Sequence, residues 1–224
     1  SRGLGDVYKR QDNGIISNNT IVNCSDNSLG AFYLSSSAQK NKIANNLIYS
    51  NKIGLRIEGS SNNFTNNTIY NNEKGINWFT GDDNLIEGGS IHSNEIDYYI
   101  AKTKGLTTKF INTNFTEDRK IYLGNNLAFF VYSEDGSIWL ITNASGETNL
   151  TRKIIFWNER LIRWNDSSSL GITSRYKLSG LNPNRYVVYN NSILTYSIAS
   201  DQEGSLNFTI QLPANEEHEI KVQK

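Results

Sequence analysis

Residues 62–82 read NNFTNNTIYNNEKGINWFTGD, and the same frame stands on either side: KNKIANNLIYSNKIGLRIEGS over residues 40–60 and DNLIEGGSIHSNEIDYYIAK over residues 83–102. Each copy opens on an apolar residue (Ile43, Phe64, Ile86) and carries a second five positions later (Ile48, Ile69, Ile91). A third apolar cluster closes each copy: Ile53, Leu55 and Ile57; Ile76, Trp78 and Phe79; Ile96, Tyr98 and Ile100. The frame recurs in steps of 21 and 22 residues, a period that marks a solenoid of stacked units. The L-x-x-L-x-L-x-x-N spacing of a leucine-rich repeat is absent, whereas three short strands with polar corners close one coil of a parallel β-helix, coils stacking at about 4.8 Å.

Alternation decides what points inward. Leu55 and Ile57 flank Arg56, and Ile76 and Trp78 flank Asn77, so one face fills a lumen and the other meets water. Asn45-Asn46, Asn66-Asn67 and Gly88-Gly89 hold the same turn, and these residue types accept the left-handed backbone of a tight corner. Stacked asparagines can also hydrogen-bond along the axis as a ladder.

Working outward, Ile16, Asn18, Asn19, Ile21, Gly30, Phe32 and Leu34 form an earlier copy, set off by a longer step that places an insertion at Cys24–Ser28 or Ser35–Gln39. A later coil contains Phe110, Asn112, Phe115, Ile121 and Leu123. Ser1–Gln11 shares nothing with the repeat and reads as a translated adapter remnant, with a signal peptide and further coils expected upstream. The predicted layout is therefore all-β: a β-helix of about four to five coils over residues 12–124, then a β-sandwich over 125–224. The second half reads as LAFFVY, SIWLIT, KIIFW, TSRYKL, RYVVY, ILTYSI, SLNFTI and HEIKV, punctuated by Asp135-Gly136, Ser145-Gly146 and Glu203-Gly204.

Two resemblances follow from these residues. Asn41, Ile43, Asn46, Ile48, Gly54 and Leu55, with Asn62, Phe64, Asn67, Ile69, Gly75 and Ile76, resemble the N-x-I-x-x-N-x-I…G-I/L coils of the NosD-like right-handed parallel β-helix repeats of cell-surface proteins. Tyr176, Leu178, Gly180, Leu181, Pro183 and Tyr186 resemble the corner of a fibronectin- or Ig-like sandwich, which implies that Tyr186 bonds back across its own turn. The first resemblance specifies architecture and leaves chemistry open, since one fold carries many functions.

Composition bounds the rest. Lys plus Arg number 22 against 22 Asp plus Glu, which gives no electrostatic case for nucleic acid, and no apolar run nears the roughly 18 residues of a membrane span. With one Cys, two His and no Met, neither a disulfide framework nor the soft copper site of a NosD-type maturation role can be assembled. Sequons begin at Asn18, Asn23, Asn63, Asn66, Asn114, Asn143, Asn149, Asn165, Asn190 and Asn207, acceptors of glycan where the machinery exists.

Catalytic candidates are Asp82, Asp83, Glu87, Arg56 and His92. Gly81-Asp82-Asp83 resembles the paired acids of polygalacturonases, but Ile57-Glu58-Gly59 stands where that family has Asn-Thr-Asp, and its Gly-His-Gly and Arg-x-Lys are missing. Asp82-Asp83 also holds the corner of Ser60-Ser61 one copy earlier, which favours a polar turn. The lyases of this fold imply calcium held by acids such as Glu58, Asp82, Asp83 and Glu87, with Arg56 as base. The aromatics Trp78, Phe79, Tyr98, Tyr99, Trp139, Trp157 and Trp164 divide between core packing and sugar stacking. The sequence thus predicts a non-catalytic extracellular or cell-surface module, structural or adhesive, without a resident cofactor, facing polysaccharide or neighbouring surface proteins. The alternative is a fragment of a polysaccharide lyase or glycoside hydrolase.

Overall fold

The structure, a computed structural model, describes residues 7–25, 29–101 and 108–224, of which Val7–Lys9 are described through their backbone. Successive coils supply β1 (Val7–Lys9), β2 (Ile15–Ser17), β3 (Thr20–Val22), β4 (Phe32–Leu34), β5 (Lys42–Ala44), β6 (Leu47–Tyr49), β7 (Ile53–Ile57), β8 (Asn63–Thr65), β9 (Thr68–Tyr70), β10 (Lys74–Trp78), β11 (Leu85–Glu87), β12 (Ser90–His92) and β13 (Ile96–Ile100). They stack in parallel into three faces. The first runs β1-β4-β7-β10-β13, the second β2-β5-β8-β11 and the third β3-β6-β9-β12. Ile43, Phe64 and Ile86 lie in register, as do Ile48, Ile69 and Ile91. All are buried, each contributing roughly 1.5–3 kcal/mol. Phe79, grouped by sequence with the lumen residues, instead turns outward and is 39% exposed.

The corners have a chemical logic. Lys40, Asn45 and Ser50 in one coil, Ser61, Asn66 and Asn71 in the next, and Asp83, Gly88 and Ser93 in the third all have left-handed φ. The asparagine after each, Gly89 excepted, turns its side chain inward and joins a ladder. Asn51 Nδ2 donates to Asn72 Oδ1 at 3.0 Å and Asn72 Nδ2 to Asn94 Oδ1 at 2.9 Å. Asn41, Asn62 and Asn84 repeat the device at a second corner, and Asn19, Asn46 and Asn67 at the third. Cys24 heads the first ladder in place of an asparagine: its N–H donates to Asn51 Oδ1 at 2.9 Å, and its Sγ reaches Val22 O as Asn72 Nδ2 reaches Tyr70 O.

The glycines of the repeat make room for this ladder. A Cβ on Gly75 would stand 2.8 Å from Asn94 Nδ2 and 2.8 Å from Asp97 O. One rung on, where the ladder ends, Asp97 takes the equivalent position and its Oδ1 accepts from Asn94 Nδ2 at 2.9 Å. Gly75→Ala is expected to cost about 1–3 kcal/mol in urea unfolding. Gly146→Ala, whose Cβ would meet nothing within 4 Å, should change stability by less than about 0.5 kcal/mol.

Two features of the early chain differ from expectation. β1, within the stretch set aside as foreign, pairs in parallel with β4 through Val7↔Phe32 and Lys9↔Leu34; residues 1–6 lie outside the described residues. The insertion occupies both proposed places. Cys24 to Phe32 spans eight positions where Asn51 to Leu55 spans four, and Leu34 to Asn41 spans seven where Ile57 to Asn62 spans five. Part of it, residues 26–28, lies outside the described residues.

The first two faces do not stop at the last coil. β14 (Lys109–Ile111) and β15 (Arg119–Leu123) continue them in parallel, and β16 (Phe129–Ser133) pairs in parallel with β14. The rest of the chain is antiparallel: β17 (Trp139–Ala144), β18 (Thr148–Asn158), β19 (Leu161–Ser168), β20 (Ile172–Ser179), β21 (Arg185–Asn190), β22 (Ile193–Ala199), β23 (Leu206–Leu212) and β24 (Glu217–Gln223). β18 adds to β15 and β17 to β16, so the two sandwich sheets, β18-β19-β24-β21-β22 and β17-β20-β23, are extensions of two solenoid faces. Lumen and sandwich interior form one apolar cluster. That continuity caps the solenoid on two of its three faces, where the last rung finds backbone partners instead of an open edge.

Tyr186 makes its expected corner, its hydroxyl donating to Asn182 O at 2.9 Å. β24 lies between β19 and β21, an extra strand relative to a fibronectin sheet. β19 is a strand the sequence reading omitted. Among the described residues no helix is long and apolar enough to cross a membrane.

Candidate functional site

On the first face the residue between each lumen pair points outward, and register stacks Tyr33, Arg56, Asn77, Tyr99 and Tyr122 one per coil. In the lower half, Arg56 Nε donates to Glu58 Oε1 at 2.8 Å and the Tyr33 hydroxyl to Glu58 Oε2 at 2.9 Å. The guanidinium lies 4.7 Å from the Phe79 ring centroid and 5.8 Å from that of Tyr33. Asn77 sits next in the column, buried, its Oδ1 without a hydrogen-bond partner. The result is a patch that combines an exposed ring, a positioned ion pair and a hydroxyl.

The upper half of the column is closed. Lys74 Nζ stands 4.0 Å over Tyr99, whose other face stacks on Tyr122 at 4.3 Å and 11°. The Tyr122 hydroxyl donates to Glu147 at 2.8 Å. Burial, then the Glu147 carboxylate and Tyr99, push the Tyr122 phenol well above its ordinary range, so it acts as a donor. With both faces of Tyr99 covered, it offers no plane on which a sugar could stack.

The residues singled out in the sequence do not share one place. Arg56 stands on the first face, Glu87 in β11 on the second and His92 in β12 on the third. His92 stacks on Tyr70 at 5.6 Å, which stacks on Tyr49 at 5.1 Å, and its Nδ1 lies 3.0 Å from the Ser93 hydroxyl. Asp82 and Asp83 form the corner between β10 and β11. The Asp82 N–H donates to Ser60 Oγ at 3.0 Å, and Asp83 has φ 56° where Ser61 has 58°. Glu87 borders a cleft of about 400 Å³ with Glu134 and Asp135.

Of the aromatics, Trp78, Tyr98 and Trp164 are core, Trp139 lies under Lys109 Nζ at 4.8 Å, and Trp157 packs edge-on against Tyr132 at 5.8 Å. Phe79 remains as the exposed ring of that set. Of the residues that complete its patch, the sequence reading names Glu58 only among acids for calcium and does not name Tyr33 as a site residue, although a signal existed. In a solenoid the spatial neighbours of Arg56 lie one coil away, at Tyr33 and Phe79, each 23 positions off.

The soft donors are equally dispersed. Cys24 is committed to a ladder and His92 to the third face, while His218 in β24 faces Asn190 Oδ1 at 2.8 Å through its Nδ1. No group of three His, Cys, Asp or Glu that could hold a metal stands among the described residues. The sequence family described as "Periplasmic copper-binding protein (NosD)" matches residues 5–129, more than half of the chain. No curated protein matches the chain.

Proposed function

The chain belongs to the NosD family of periplasmic proteins, and from that premise we propose a non-catalytic structural or adhesive module outside the cytoplasm that contacts surface polysaccharide through the Tyr33–Arg56–Glu58–Phe79 patch. The observation that carries this reading is the patch itself. Planar side chains held rigid by one another present paired donors and acceptors for vicinal hydroxyls, beside an apolar ring for a sugar face. The dispersal of Arg56, Glu87 and His92 over three faces supports a binding role over hydrolysis or elimination, which need an acid and a base converging on one bond.

Copper does not fit these residues. It is held by thiolate, thioether and imidazole donors converging on one centre. Here there is no Met, the one thiol is buried in an asparagine's place, and the two imidazoles sit on the third face and in the sandwich.

Glycan binding is tested by affinity electrophoresis across immobilised polysaccharides. Phe79→Ala is expected to weaken the retained glycan about tenfold, the loss of one stacked ring, while Phe79→Tyr keeps it. A wild-type chain that retards on no polysaccharide overturns the glycan contact and leaves a spacer.

A further inference from the structure

The third face stops at β12 while its neighbours continue into the sandwich, leaving a cleft of about 400 Å³ at its end, lined by Ser93, Asp97, Glu117, Arg119, Lys120 and Lys153 among others. We propose that this cleft binds a small oxyanion, a sulfate or phosphate group either free or carried on a polymer. Arg119 is its anchor. The residue is 2% exposed; its Nε donates to Asn114 O at 2.8 Å and its Nη1 to Asp118 O at 2.9 Å. Its Nη2 has no hydrogen-bond acceptor. The nearest carboxylate oxygen, on Glu117, stands at 3.6 Å, on a side chain 77% exposed. A buried donor left without an acceptor marks a place where water or an ion belongs.

Lys120 and Lys153 bring two further cations to the same cleft, and neither joins an ion pair among the described residues. Arg119, Lys120 and Lys153 face three carboxylates, Asp97, Glu117 and Asp118, so the lining balances in formal charge, and the contacts of two of the three favour an anion. Asp97 is consumed by the end of the asparagine ladder: its Oδ1 accepts from Asn94 Nδ2 at 2.9 Å and its Oδ2 from the Lys120 N–H at 3.0 Å. Glu117 is the exposed one, and it holds by a long contact the position that an external oxyanion would take by a short one. The cleft exceeds the roughly 30 Å³ share of a single water, and a guanidinium fork with ammonium neighbours is the chemistry that binds tetrahedral oxyanions.

The test is titration calorimetry of the whole chain with sodium sulfate and with sodium phosphate, against sodium chloride at matched ionic strength. Melting temperature is unsuitable alone, since sulfate stabilises most proteins by exclusion. Saturable heat with the oxyanions and none with chloride is expected. Lys153→Gln should weaken binding about tenfold, the loss of one charge-assisted contact. Glu117→Gln, which removes the internal competitor, should tighten it several-fold. A second arm with dextran sulfate separates the sources: tighter binding per sulfate than the free ion assigns the site to a polymer, and equal binding to a free ion. Heats indistinguishable from chloride, or affinity unchanged in Glu117→Gln, overturn the proposal. Neither outcome bears on Phe79, so this site and the glycan patch stand or fall separately.

Discussion

Asp166→Ala is expected to lower the unfolding free energy by about 3–5 kcal/mol, the cost of stranding a buried charge. Asp166 and Arg152 are both fully buried in the sandwich and meet in a fork, Nε to Oδ1 at 2.8 Å and Nη2 to Oδ2 at 2.7 Å. The carboxylate also accepts from Trp164 Nε1 at 3.1 Å and from the Tyr176 hydroxyl at 2.7 Å. Burial, and then the charge of Asp166, push the Tyr176 phenol well above its ordinary range, so it donates as a neutral hydroxyl at neutral pH. Removing the carboxylate leaves a buried guanidinium, an indole N–H and a hydroxyl without that acceptor. The double variant Arg152→Met/Asp166→Leu removes both charges and should recover the part of the loss that comes from the unpaired guanidinium, while the Trp164 N–H and the Tyr176 hydroxyl still lack that acceptor. Urea unfolding of wild type, single and double variants checks this; a double variant no more stable than Asp166→Ala would show that the pair acts through something other than charge balance.

That network also shows where sequence reading stops. The lumen was legible because its residues alternate and recur, and Ile48, Ile69 and Ile91 stack as their spacing requires. β19 was not legible. Beyond Trp164 its inward positions are Asp166 and Ser168, so the period-two apolar signal fails where the strand turns its polar side chains to the interior. The other two asparagine ladders were visible in principle, as asparagines five apart at 41, 46 and 51 and at 62, 67 and 72. Their inward direction depends on the left-handed residue before each, which spacing alone does not reveal. The passage of two solenoid faces into two sandwich sheets had no local signal, since turn residues such as Asp135-Gly136 mark a reversal without saying which sheet receives the next strand. For the candidate site, chain proximity misled: apart from Arg56 and Glu58, which pair at two positions' distance, residues close in sequence follow one coil's perimeter onto different faces, and steps of about one coil bring the other side chains together.

Asn72→Ala tests the device on which the coils depend, and it is expected to cost about 3–5 kcal/mol, two or more stranded polar groups at roughly 1–3 kcal/mol each. Asn72 Oδ1 accepts from the Asn51 N–H at 2.9 Å and from Asn51 Nδ2 at 3.0 Å, while its Nδ2 donates to Asn94 Oδ1 at 2.9 Å and to Tyr70 O at 3.0 Å. Alanine leaves the buried Asn51 N–H without an acceptor and Tyr70 O without that donor. Shape alone does not rescue the site. Asn72→Asp keeps the acceptor toward Asn51 but sets a carboxylate oxygen against Asn94 Oδ1, so it should cost at least as much as alanine. Asp97 is tolerated one coil on for the opposite reason: beyond it stands the Lys120 N–H, a donor, and a chain of carboxamides that each donate forward can end on a group that only accepts. A member of such a chain must do both. The check is urea unfolding of the two variants beside Asn71→Ala, which replaces the left-handed exposed neighbour and leaves the ladder bonds in place. A loss at residue 72 no larger than at residue 71 would show that the ladder follows from the coil instead of stabilising it.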